Sequence, residues 1–246
     1  MHSKNIFALI LTAGLTSFAA QAKATTLLYD DFVSTTLDTS KWSVRMTNPS
    51  GWGSSWASPG YGYLRTNNRP ILTTVSSFSL PITVSGSFSL GTQQQADNLQ
   101  VVTRADGAVA GTWKEPAGLK FIFNYYGLAV YFMNDAGTYT ELGGSTGLTL
   151  SANTMYNFSV TDYLSGFSVS VNNTVVYAAD TSTYSTLSSL TTGNKVSLTN
   201  RERSRGSYWG PLTIATAIPE PSTYGLIGLG ALGLAFAARR RKLKVA

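Results

Sequence analysis

The sequence predicts an all-β domain, an antiparallel sandwich of many short strands, carried between two apolar terminal segments. Between residues 25 and 216, apolar and polar residues alternate in short runs rich in β-branched and aromatic types, the period-2 pattern of a half-buried strand. Gly, Asn, Asp, Pro and Ser cluster between these runs, and helical periodicity is nearly absent. No unit recurs at a fixed spacing, which disfavours a solenoid or a propeller.

Taken in order, the first element is Lys4 followed by an apolar run from Ile6 to Ala20. It ends in Ala20-Gln21-Ala22 or Ala22-Lys23-Ala24, either of which fits small-x-small cleavage. Residues 1–24 therefore read as a secretory signal peptide cut before Thr25, with an uncleaved anchor as the alternative. The domain follows over 25–216, with strands expected at 27–32, 42–46, 82–90, 99–104, 119–124, 128–134, 156–161, 167–171, 174–177, 195–199 and 208–214. Asn172 and Asn173 tolerate positive φ, so the runs on either side of them are expected to pair as a tight hairpin. Asn134-Asp135-Ala136-Gly137 marks a second hairpin turn.

The last element, 217–246, opens with Pro219-Glu220-Pro221, which resists helix because each proline fixes φ and lacks an N–H. An apolar run from Ser222 to Ala238 follows, 17 residues by count. At the standard rise that is about 26 Å of helix, near the lower limit for a bilayer span. Arg239, Arg240, Arg241 and Lys242 close it. A single transmembrane helix is expected at about 222–238, with the basic cluster cytoplasmic and the domain on the opposite side.

Charge and composition narrow the chemistry. The chain carries a formal +6, but between Thr25 and Ile218 basic and acidic residues balance at eleven each. The basic excess belongs to the two ends, so no nucleic-acid partner is expected. There is no cysteine, and the sole histidine is His2, which leaves with the signal peptide. A Ser-His-Asp triad, an imidazole base, a thiolate nucleophile and Cys- or His-ligated metals are thereby excluded from the mature chain. Paired-carboxylate catalysis, hard-cation binding and binding without catalysis stay open.

Candidate sites follow from residue type. The segment 48–65 places Trp52, Trp56, Tyr61 and Tyr63 among Gly, Ser and Pro, with Arg65 at its end. Sugars present apolar C–H faces to aromatic rings and hydroxyls to polar groups, so such a loop suits glycan binding. Alternatively, Trp52 and Trp56 fold back over an open end of the sandwich. A second candidate runs from Arg104 and Asp106 through Trp113 to Pro116, converging with the first if both emerge at one face; otherwise Asp106-Gly107 is only a turn. Tyr125-Tyr126 offers a further stacking pair or half-buried strand ends. Arg201, Glu202, Arg203 and Arg205 form a local basic patch that would attract an acidic exopolysaccharide, or else a solvated loop. No cofactor is expected, although Asp30, Asp31 and Asp38 could supply a structural calcium site if they do not simply cap turns. Thr and Ser abound at 181–192, yet regular hydroxyl rows of the kind that bind ice would be expected as a short sequence repeat, and none is present.

Two resemblances add to this reading. The order Pro219-Glu220-Pro221, apolar run, Arg239 to Lys242 resembles the PEP-CTERM sorting signal of Gram-negative bacteria, also catalogued as the ice-binding protein C-terminal domain. That resemblance implies cleavage at Pro-Glu-Pro by an exosortase in the inner membrane, retention by the basic cluster, and delivery to the cell surface or an extracellular polysaccharide matrix. Asp30-Asp31-Phe32 with Leu37-Asp38-Thr39-Ser40-Lys41-Trp42, then Tyr156 to Val160, Phe167 to Val176 and a closing strand, resemble the concanavalin A-like and laminin-G-like jelly-roll superfamily. Laminarinase-like glycosidases of that superfamily carry E-x-D-x-x-E on one strand. Here Glu115, Glu141 and Glu202 stand isolated. The resemblance therefore favours non-catalytic glycan binding, with a matrix component lacking a specific ligand and a noncanonical glycosidase as alternatives.

Overall fold

The computed structural model describes residues 24–46, 56–67, 70–91, 98–107, 109–110, 115–163, 165–185, 187, 193–201 and 207–217. Thr25–Ala217 form one compact unit. The expected signal peptide, membrane helix, Pro-Glu-Pro site and basic cluster lie outside the described residues. Among the described residues no helix is long and apolar enough to cross a membrane.

The strands in chain order are β1 (Thr26–Asp30), β2 (Trp42–Met46), β3 (Trp56–Gly60), β4 (Tyr63–Asn67), β5 (Pro70–Thr74), β6 (Ile82–Ser89), β7 (Asn98–Ala105), β8 (Val109–Ala110), β9 (Glu115–Pro116), β10 (Gly118–Asn124), β11 (Gly127–Met133), β12 (Tyr139–Ser145), β13 (Met155–Tyr163), β14 (Gly166–Val171), β15 (Thr174–Asp180), β16 (Lys195–Arg201) and β17 (Tyr208–Thr216). They form an eight-stranded sheet ordered β15-β14-β13-β6-β17-β4-β3, with β1 also on β17, and a seven-stranded sheet ordered β12-β11-β10-β7-β16-β5-β2. A short β8-β9 pair stands beside them. Every ladder is antiparallel.

Alternation builds the core. Ile82, Val84 and Phe88 of β6, Phe158 and Val160 of β13, and Leu212 and Ile214 of β17 are buried, as are Leu99, Val101, Leu119, Phe121 and Phe123 of the other sheet. The rings of Phe88, Phe123, Phe158 and Trp209 meet at centroid distances of 4.8 to 6.3 Å, so aromatic packing ties the two sheets together.

Each expected strand coincides with an observed one to within three residues. Asn172 and Asn173 both have positive φ, as the β14-β15 hairpin requires. The sequence reading misses β3, β4, β5, β8, β9 and β12. The segment 48–65, expected as a loop, contains β3 and the start of β4. Pro59, Gly60 and Gly62 hide that hairpin, since Gly and Pro signal turns by propensity while cross-strand pairing decides the outcome here.

Candidate functional site

The sequence places Tyr61 and Arg65 in one candidate site and Arg104 and Asp106 in a second, converging if both emerge at one face, and the structure sets the two apart. Tyr61 caps the β3-β4 turn at φ +54° and is 90% exposed. Arg65 is exposed on β4, in register with Tyr208 of β17, which is itself in register with Ser89 at the end of β6. Arg104 lies at the far end of β7 and pairs with Asp162, whose register partner is Ile82 at the start of β6. Seven strand residues, about 23 Å at the usual rise, separate the two locations. Trp52 and Trp113 lie outside the described residues, and so does the side chain of Trp56.

Arg104 is not available as a surface ligand group. It is 2% exposed, and its Nε and Nη2 donate to Asp162 while Nη1 donates to Leu187 O at 2.8 Å and Nη2 to Tyr163 O at 2.7 Å. Thr103 Oγ1 donates to the same carboxylate at 2.5 Å. Positive φ at Arg104 breaks strand alternation, so consecutive residues reach one partner. Burial pushes the Asp162 carboxyl up, opposed by the Arg104 guanidinium and the Thr103 hydroxyl. Asp106 follows, partly exposed, beyond the strand end.

Several other carboxylates are similarly engaged. Asp30 Oδ1 accepts from Phe32 N at 3.0 Å, and Oδ2 accepts from the Trp42 indole at 2.7 Å. Asp31 accepts from Val33 N, and Asp38 accepts from Ser40 N and Oγ. The Asp30 to Trp42 segment is thus a fold lock that seats Trp42 in the core. Glu115 pairs with the buried Lys120 at 2.6 Å and accepts from the Tyr139 hydroxyl. Glu141 is exposed on β12, and Glu202 lies outside the described residues. Among the described residues no group of three or more carboxylates gathers into a metal site.

The solvent-facing side of the eight-stranded sheet is organised differently. Tyr63 of β4 meets Tyr208 of β17 edge-on at 4.9 Å, because the residues that follow them, Leu64 and Trp209, point into the core. Tyr63 is 38% exposed, and Tyr61 and Arg65 flank it. Beyond this patch, Thr213, Ser85, Ser159 and Ser170 stand opposite one another across β17, β6, β13 and β14, with Thr83, Thr161 and Ser168 in the adjacent row. Thr83 and Thr161 share a hydroxyl hydrogen bond at 3.1 Å. The sequence reading found these strands and not the rows. Outward hydroxyls on each strand were the available signal, but strand adjacency was not.

The terminal segment decides part of the identity. Residues 217–242 match the family model of the PEP-CTERM protein-sorting motif. The chain carries a PEP-CTERM sorting motif. The motif marks an exported protein processed by an exosortase.

No curated protein sequence matches the chain. Among solved structures, the exoplasmic/lumenal domain of VIP36 in its Ca2+/Man3GlcNAc-bound form aligns with TM-score 0.52 at 12% identity, over 73% of this chain and 86% of that one. The endo-β-1,3-glucanase from Pyrococcus furiosus aligns with TM-score 0.54 at 10% identity, over 78% and 94%. The laminarinase catalytic domain from Thermotoga maritima aligns with TM-score 0.52 at 9% identity, over 80% and 100%. These likenesses establish the concanavalin A-like jelly-roll fold, a fold that serves lectins and glucanases alike.

Proposed function

We propose that the chain is an exported, non-catalytic glycan-binding module. Its signal peptide delivers it, its tail holds the precursor in the inner membrane of a Gram-negative cell, and an exosortase-type protease or transpeptidase passes it to the surface or extracellular polysaccharide. The observation that carries the binding reading is the solvent-facing patch of Tyr61, Tyr63 and Tyr208 beside Arg65. A tyrosine pair held on neighbouring strands, with Tyr63 exposed and Tyr208 half-buried, offers a preordered apolar face to a pyranose ring and hydroxyls at its rim. Support for a non-catalytic role comes from Asp30, Asp162 and Glu115, each tied to a structural partner instead of facing a second carboxylate across a cleft.

The names of the neighbouring structures suggest the first probes, β-1,3-glucan and mannan. Affinity electrophoresis through gels containing laminarin or mannan is expected to retard the protein, and Tyr63→Ala is expected to lose retardation while keeping its melting temperature. Equal retardation of Tyr63→Ala, or no retardation of the wild type, would refute the patch. Replacing Pro219-Glu220-Pro221 by alanines is expected to leave uncleaved precursor in the inner membrane; unchanged release would refute the sorting route.

A further inference from the structure

Next to the tyrosine patch the eight-stranded sheet carries a trough of about 410 Å3, within the size range of small-ligand sites. Ser85 and Ser87 of β6, Asn157 and Ser159 of β13, Ser170 of β14 and Asn173 of the β14-β15 turn line it. We propose that this trough is a second subsite for a neutral pyranose chain, adjacent to the tyrosine patch; it rests on the glycan-binding reading above.

Register places the polar groups. Ser85 stands opposite Ser159 and Ser159 opposite Ser170, which sets three hydroxyls in line about 4.8 Å apart across the strands. Ser87 stands opposite Asn157 one outward position further, about 6.6 Å along. The next residue of β6 on that side is Ser89, the fully buried register partner of Tyr208, so the trough ends one residue pair from the patch.

Local backbone features make the surface concave. A bulge between Trp209 and Leu212 brings Pro211 against β6, and the Asn172-Asn173 turn rises at the other side. Two glycines permit the close approach. A Cβ at Gly86 would lie 2.6 Å from Pro211 O, and one at Gly210 would run into Ser87 Oγ.

The chemistry selects the ligand. Hydroxyls and amides both donate and accept, and among the described residues the lining carries neither a cation for an anionic sugar nor a carboxylate for a metal or amine. An apolar ligand would strip water from these groups without replacing its hydrogen bonds. A neutral polyol replaces them in kind. The short serine side chains also lose little rotamer freedom on binding, and the strands hold them in place beforehand.

Calorimetric titration with laminaritriose, laminarihexaose and alginate tests the subsite. The wild type is expected to bind laminarihexaose at least tenfold more tightly than the triose, because only the longer chain reaches both patch and trough, and more tightly than alginate. Ser159→Arg, which fills the trough from an outward position, is expected to abolish that length gain, and Ser85→Ala with Ser170→Ala to reduce it severalfold. If both variants keep the full gain while Tyr63→Ala loses binding, the trough is overturned and the patch stands. If the wild type prefers alginate, the neutral chemistry is overturned. If it binds neither oligosaccharide, both readings fall.

Discussion

Removal of the Arg104 guanidinium separates a structural role from a ligand-binding one. Arg104→Met retains much of the side-chain length and volume but leaves the Asp162 carboxylate, fully buried between the sheets, with Thr103 as its remaining partner among the contacts described above. Breaking one side of a buried ion pair costs about 3–5 kcal/mol. Leu187 O and Tyr163 O each lose a donor as well, at about 1 kcal/mol apiece. A loss of about 5–7 kcal/mol is a large share of a typical domain's stability. Urea unfolding followed by tryptophan fluorescence at pH 7 should show it as a lower midpoint with an unchanged slope.

The pH dependence carries a defined sign. Without the guanidinium, burial of Asp162 is opposed by the Thr103 hydroxyl and its folded pKa rises further above the unfolded value. The folded state then binds the extra proton, so the variant's deficit is smallest below about pH 4 and grows as pH rises through the folded pKa. Glycan affinity of the folded variant should match the wild type, because Arg104 faces no solvent. A variant with wild-type stability and lost glycan affinity would refute this reasoning and restore Arg104 as a ligand residue.

Two further substitutions test the frame that holds the site. Asp30→Ala leaves the Trp42 indole and the Phe32 N–H without their acceptor, and should lower stability by about 2–4 kcal/mol in the same urea assay. Added calcium should not shift the wild-type melting temperature, because Asp30, Asp31 and Asp38 accept local hydrogen bonds. Gly210→Ala drives a methyl into Ser87 and should cost about 1–3 kcal/mol, with partial recovery in Gly210→Ala combined with Ser87→Gly.

What was legible in the sequence was local. The β14-β15 hairpin could be read because Asn172 and Asn173 supply its turn within two residues, and β6, β13 and β17 could be read from their alternation. The β3-β4 hairpin could not, because Pro59, Gly60 and Gly62 argue locally for a loop while pairing with β17 stabilises a strand. Arg104 was misplaced for a related reason: its left-handed backbone turns the side chain inward, and alternation along β7 gives no warning of that. The hydroxyl rows were missed because Ser85, Ser159, Ser170 and Thr213 come from distant segments joined only by strand order.

The central claim is that a glycan binds the outward face of the eight-stranded sheet. Titration of the 15N-labelled protein with laminarihexaose, followed by amide chemical shifts, tests it residue by residue. The account predicts shifts at Tyr63, Arg65, Ser87, Asn157, Ser159 and Tyr208, with little change at Arg45, Tyr131 and Glu141 on the outer side of the seven-stranded sheet. Shifts centred on Arg45, Tyr131 and Glu141 would contradict it.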